Sequence, residues 1–189
     1  MKYTLKFRLW HWFNALMVLG LLGTVLLRKT FFSWRENSEI LLSQLASMDI
    51  VITTEQAKIL AKAVRAGMWE WHIILGYGLA TLVLFRLYIF ISEYKTKTAF
   101  SSLTLHKKLV TALYYLFYAA LTFMAISGLV IHFYEALAIS KDLAHDIKEL
   151  HETVFNVILY FVPIHLTGVI LADIKEENGL ISSMIHGKG

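Results

Sequence analysis

The chain has 189 residues, of which 57% are hydrophobic, with a mean hydropathy of +0.58, a single proline and ten glycines. This is more apolar surface than one soluble core of that size buries, so lipid is the expected solvent for the excess, and long helices in a single domain spanning residues 1–189 are expected. The lack of cysteine excludes disulfides, thiolate-bound zinc, cysteine-ligated iron–sulfur clusters and covalent c-type haem attachment within the chain, which leaves histidine, methionine and carboxylates for any metal chemistry.

The first apolar run covers about residues 9–27, preceded by Lys2, Lys6 and Arg8 and closed by Arg28 and Lys29. No small-x-small cleavage site precedes that closing pair, so an uncleaved first helix is expected rather than a signal peptide. Residues 28–68 are too long for a simple turn and carry apolar residues at helical spacing over 40–45 and 57–64. They predict short helices on the outer surface, and Thr54, followed by Glu55 and Gln56, is placed to start a helix that runs into the second span. An amphipathic segment resting at the lipid headgroups explains the same pattern.

Further apolar runs fall at about 69–91, 109–133 and 154–174. Roughly 20 residues at a rise of 1.5 Å cross the hydrocarbon core, so the fold class is all-α, an integral membrane four-helix bundle with a partly helical outer loop. Arg86, Lys95, Lys97, Lys107 and Lys108 flank the second-to-third connection, whereas Glu135, Asp142, Asp146 and Glu149 outweigh Lys141 and Lys148 in the last one. Positive charge collects on the inner side, so both termini are expected in the cytoplasm of a bacterial inner membrane. The net charge of +4 therefore reads as topology, and no nucleic-acid partner is implied.

Four of the eight histidines, His11, His72, His151 and His165, lie inside or at the mouths of these spans. Ionisable side chains at membrane depth are costly and usually functional, although a lone one is more often a hydrogen-bonded core residue. Their arrangement is what carries weight. His151 and His165 are 14 residues apart, so at about 100° and 1.5 Å per residue they return to nearly one face of the last helix, about 21 Å apart. His11 begins the first span on the inside and His72 the second span on the outside. Depth pairs His11 with His165 and His72 with His151, each pair clamping a haem iron through imidazole nitrogens. With both axial positions filled, electron transfer is favoured over oxygen chemistry, and zinc lacks further ligands at these depths.

Haem propionates need cationic partners near the surfaces. Arg65 stands seven residues before His72 and Arg86 fourteen after it, on one helical face, while Arg8 is three before His11. Arg65 suits the outer haem, and Arg86 and Arg8 the inner one; snorkelling to the interface accounts for each arginine equally well. Gly20, Gly23, Gly76, Gly78, Gly128 and Gly168 permit a macrocycle to approach, or simply close helix packing. His132 is placed to hydrogen-bond a propionate or a quinone oxygen. Tyr114, Tyr115, Tyr118, Trp10, Trp12, Trp69 and Trp71 read as interfacial anchors.

At RLWHWFNAL around His11, WHIILGYGLATLVLFRLY from Trp71 to Tyr88, KELHETVFNVILYFVPIH from Lys148 to His165, and the terminal GLISSMIHGKG, the chain resembles the prokaryotic cytochrome b561 superfamily. Within it, the resemblance is greatest to the b-type cytochrome subunits of membrane-bound nickel–iron hydrogenases. The resemblance covers nearly the whole chain and implies a four-helix protein with two haem b groups on the same four histidines. It also implies a peripheral redox partner on the outer face that passes electrons through the outer haem to the inner haem and on to the membrane quinone pool.

The leading expectation is therefore an electron-transfer subunit of a quinone-linked oxidoreductase complex. A stand-alone superoxide oxidase that reduces quinone is the alternative, and it requires a positive outer surface to steer its anion. The outer loop sets Arg28, Lys29, Arg35, Lys58, Lys62 and Arg65 against Glu36, Glu39, Asp49 and Glu55, a weak bias. A haem-free membrane anchor is the third reading, and the phasing of four histidines argues against it.

Overall fold

A computed structural model describes residues 3–92, 104–175 and 179–187. Lys2, Lys95 and Lys97, three of the expected topology signals, lie outside the described residues. Six helices follow in order: α1 (Leu5–Lys29), α2 (Trp34–Ala46), α3 (Thr54–Ser92), α4 (Leu105–His132), α5 (Lys141–Lys175) and α6 (Leu180–Ile185). Among the described residues there is no strand. α1, α3, α4 and α5 are each long and apolar enough to cross a membrane. Side chains such as Leu16, Leu84, Ile91, Leu116 and Ile164 stand exposed on them, which suits lipid and not water as the solvent. The chain is an all-α, multi-pass membrane protein.

The expected outer helices are present, with one simplification. α2 takes up the 40–45 stretch, while the 57–64 stretch belongs to α3, which continues without a break for 39 residues through the second span. It starts at Thr54, as expected, and a capping box with Thr53 fixes that start. The Thr53 hydroxyl accepts from the Gln56 backbone N–H at 3.2 Å, and the Gln56 side chain accepts from the Thr53 N–H at 2.8 Å, which satisfies two otherwise orphaned donors. α2 ends where Asp49 enters the left-handed region at φ 60 and the Ile50 N–H reaches back to the Leu45 carbonyl, a stop that Asp tolerates better than most residues.

The chain divides into two compact units. Leu16–Gly76 comprises most of α1, α2 and the first half of α3. There α1 and α3 run antiparallel. Gly20 meets Leu75, Thr24 meets His72 and Arg28 lies over Trp69, so steps of four along one helix face steps of three along the other. A Cβ on Gly20 would come within 3.0 Å of Leu75, and glycine is what allows that approach.

The second unit joins Met1–Ala15 to Tyr77–Gly189. α4 and α5 form an antiparallel hairpin in which Ser127 faces His151, Phe117 faces Phe161 and Tyr114 faces His165. The Phe117 and Phe161 rings stack at 3.8 Å and 14° and are both buried. The helical turns of α5 thus deliver His151 and His165 to the same side, against α4, as their 14-residue spacing requires. α6 folds back on this unit, where the Ile181 N–H donates to Asp173 Oδ1 at 3.0 Å.

Candidate functional site

His11 and His165 come together. Their ring centroids are 6.1 Å apart with planes at 61°. Two imidazoles binding one metal from opposite sides at about 2 Å per metal–nitrogen bond place their centroids about 6 Å apart, so this spacing fits a shared iron. Phe161 stacks on His165 at 5.5 Å and 9°, and the Tyr114 hydroxyl lies 3.4 Å from His165 Nδ1. Phe7 and Trp12 flank His11, and His11 makes no hydrogen bond with the described residues. Three residues further along α1, Asn14 is buried and its Oδ1 has no partner among the described residues.

His151, half-buried on α5, has its Nδ1 2.7 Å from Ser127 Oγ. A Cβ on Gly128 would meet its ring at 3.5 Å, ordinary contact, so the ring itself does not demand glycine there. His72 lies in the Leu16–Gly76 unit, where its Nδ1 is 2.8 Å from Thr24 Oγ1 and its ring stacks on Trp69 at 4.8 Å and 4°. A hydroxyl at Nδ1 is the arrangement that orients a metal-ligating imidazole and directs the lone pair at Nε2 towards the metal.

Three arginines behave differently. Arg86 lies over the rings of Phe7, Trp10 and Tyr118 at 5.2, 5.2 and 4.8 Å, and its buried Nε has no partner among the described residues. A guanidinium in an aromatic cage with an unmet donor fits an anionic group such as a propionate. Arg8 instead donates Nε to the Met184 carbonyl at 3.1 Å and a terminal nitrogen to the Ile185 carbonyl. Trp12 Nε1 adds a bond to Met184 at 3.3 Å. These are last-turn carbonyls of α6, a natural seat for a cation. Arg65 is half-buried on α3 and pairs with no described residue.

Sequence reasoning missed the hydroxyl partners. Thr24 and Ser127 are polar groups buried in apolar helices, a signal in itself at membrane depth. Tyr114 and Trp69, read as interfacial anchors, instead pack against His165 and His72. His132, at the end of α4, meets Tyr77 edge-on at 5.9 Å. Among the described residues, no three His, Cys, Asp or Glu side chains converge to hold a metal ion alone. The residues present fit haem ligation, with paired imidazoles and a caged cation, better than a protein-only metal cage.

A family model described as prokaryotic cytochrome b561 matches residues 2–187. No curated protein and no solved structure matches the chain.

Proposed function

The chain belongs to the prokaryotic cytochrome b561 family and is thus a haem b protein of membrane electron transfer, and from that premise we propose that it is a di-haem subunit linking an outer redox partner to quinone. His11 and His165 hold the inner haem and His72 and His151 the outer one. Haem b supplies a one-electron couple when bound. The chain's own residues orient the imidazoles, His11, His72, His151 and His165 would hold the haem irons, and Arg86 and Arg65 would meet the propionates. Arg8, committed to the α6 carbonyls, steadies the helix that carries His11. The electron donor is a peripheral oxidoreductase, hydrogenase-like or other, on the periplasmic face of the inner membrane. The acceptor is quinone on the cytoplasmic side, where both termini lie.

The observation that carries this reading is the approach of the His11 and His165 rings to a centroid distance of 6.1 Å, together with a second histidine at matching phase on the same α5. The test is gentle purification from the native membrane, with identification of co-purifying proteins, a reduced-minus-oxidised spectrum and a haem-to-protein ratio. Two haem b per chain and a co-purifying oxidoreductase are expected. A ratio of one, or no b-type band, overturns the di-haem reading.

One observation favours a second reading, the superoxide oxidase. Arg35, Lys58 and Lys62 gather on the Trp34 ring at 5.1, 6.0 and 5.5 Å, a net cationic cluster, with Lys58 paired to Glu55 at 2.6 Å, of the kind that steers an anion. Fast reduction of the purified chain by superoxide, with no other protein present, would put that activity first.

A further inference from the structure

Thr24 on α1 and Ser127 on α4 each touch one histidine and backbone carbonyl oxygen of the preceding turn. Thr24 Oγ1 is 2.8 Å from His72 Nδ1 and 2.7 Å from the Leu21 oxygen. Ser127 Oγ is 2.7 Å from His151 Nδ1, 2.6 Å from the Phe123 oxygen and, at the limit, 3.4 Å from the Met124 oxygen. Two oxygens approach this closely only with a proton between them, and a carbonyl has none to give. Each hydroxyl proton is therefore committed to the carbonyl, and each hydroxyl oxygen accepts from the ring. Both rings carry their proton on Nδ1 and their lone pair on Nε2.

The other two histidines have no such support. The Tyr114 hydroxyl is 3.4 Å from His165 Nδ1, near the limit of a hydrogen bond, and His11 has no hydrogen bond with the described residues. A short bond from Nδ1–H raises the basicity of the imidazole at Nε2. A more basic axial ligand favours the oxidised metal and so lowers its reduction potential.

We infer that Thr24 and Ser127 are positioning residues that lock the ligating tautomers of His72 and His151 and lower the reduction potential of the outer centre, leaving the inner one unaffected. This rests on the di-haem reading above. The result is a bias for one electron to leave the outer centre, which is oxidised, and reach the inner centre, which is reduced, with no proton gained or lost by either ring.

The test is potentiometric titration of the purified full-length protein with visible-absorption detection, comparing wild type with Thr24→Val, Thr24→Ser and Ser127→Ala. A His165→Ala variant assigns the potential that remains to the outer centre. Thr24→Val removes the hydroxyl at nearly constant volume, and Thr24→Ser keeps it. Thr24→Val and Ser127→Ala are each expected to raise the outer potential, with the reduction constant changing about three- to tenfold, a tenfold change being about 59 mV for one electron. The inner potential should stay fixed, and Thr24→Ser should titrate like wild type. Unchanged outer potentials in haem-replete Thr24→Val and Ser127→Ala overturn the inference while leaving the di-haem reading standing. Equal shifts at both centres also overturn it, because they mark a general loosening. The two hydroxyls sit on different helices, so if one variant loses haem the other decides. A wild type without two haems sinks the reading, and this inference with it.

Discussion

The ring centroids of His11 and His165 lie 6.1 Å apart, edge-on with planes at 61°, although 154 positions separate the two residues in the chain. This separation fits the shared haem iron proposed above.

It follows that replacing either one should empty one centre only. His11→Ala and His165→Ala are each expected to lower the haem-to-protein ratio from two to one, with the remaining b-type band intact. A pyridine haemochrome assay on detergent-purified protein reads this directly. Loss of both haems from a monodisperse, helical His165→Ala protein would refute the pairing.

Arg86 gives an electrostatic prediction whose sign can be worked out. A cation near a haem stabilises the reduced, more negative state, so removing it lowers the potential. Arg86→Gln is expected to lower the inner potential, and Arg65→Gln the outer, each by about tenfold or less in the reduction constant, about 59 mV at most. A redox titration in which Arg86→Gln moves neither potential would reduce that side chain to a packing role in its aromatic cage.

Phe161 stacks on both Phe117 and His165, at 3.8 and 5.5 Å. Phe161→Ala leaves a cavity between α4 and α5. In lipid the transfer from water contributes little, so the expected cost is about 2 kcal/mol, below the 3–5 usual for soluble cores. Phe161→Leu should recover most of it. Thermal loss of the Soret band in detergent would rank the two variants.

Arg8 binds the last carbonyls of α6 from the opposite end of the chain. Arg8→Ala should release that helix at a cost of about 1 kcal/mol per hydrogen bond. Limited proteolysis should then cleave around residues 179–187 faster than in wild type, with the haem content little changed. Arg8→Lys, which keeps charge but not the fork, should fall between.

The spans were legible because lipid imposes a simple demand: about 20 apolar residues bounded by charge. The phase that brings His151 and His165 to one face of α5 was equally legible, since it is fixed by helix geometry alone. What stayed hidden depends on contacts between distant positions. Thr24 reaches His72 across 48 residues and Ser127 reaches His151 across 24, with nothing local to announce either. Arg8 is a candidate propionate partner from its nearness to His11, and that nearness says nothing of its bonds to α6, 176 positions away. Tyr114 and Trp69 resembled interfacial anchors because composition does not say which way a ring turns. The start of α3 at Thr54 was legible, whereas the reciprocal bonds between Gln56 and Thr53 that fix it depend on side-chain geometry.

The hydrogen bonds at Thr24 and Ser127 also set a boundary on transport. In each, the path from the imidazole proton passes through one hydroxyl and stops at a helical carbonyl, Leu21 or Phe123. A backbone carbonyl cannot relay a proton onward, so these contacts form no proton wire. In the di-haem proposal, an electron that passes between the two centres is therefore not accompanied by a proton along these contacts. The membrane voltage would then help or oppose a full crossing by about 2.3 kcal/mol per electron for each 100 mV, which on that proposal couples the rate of the chain to the energised state of its own membrane.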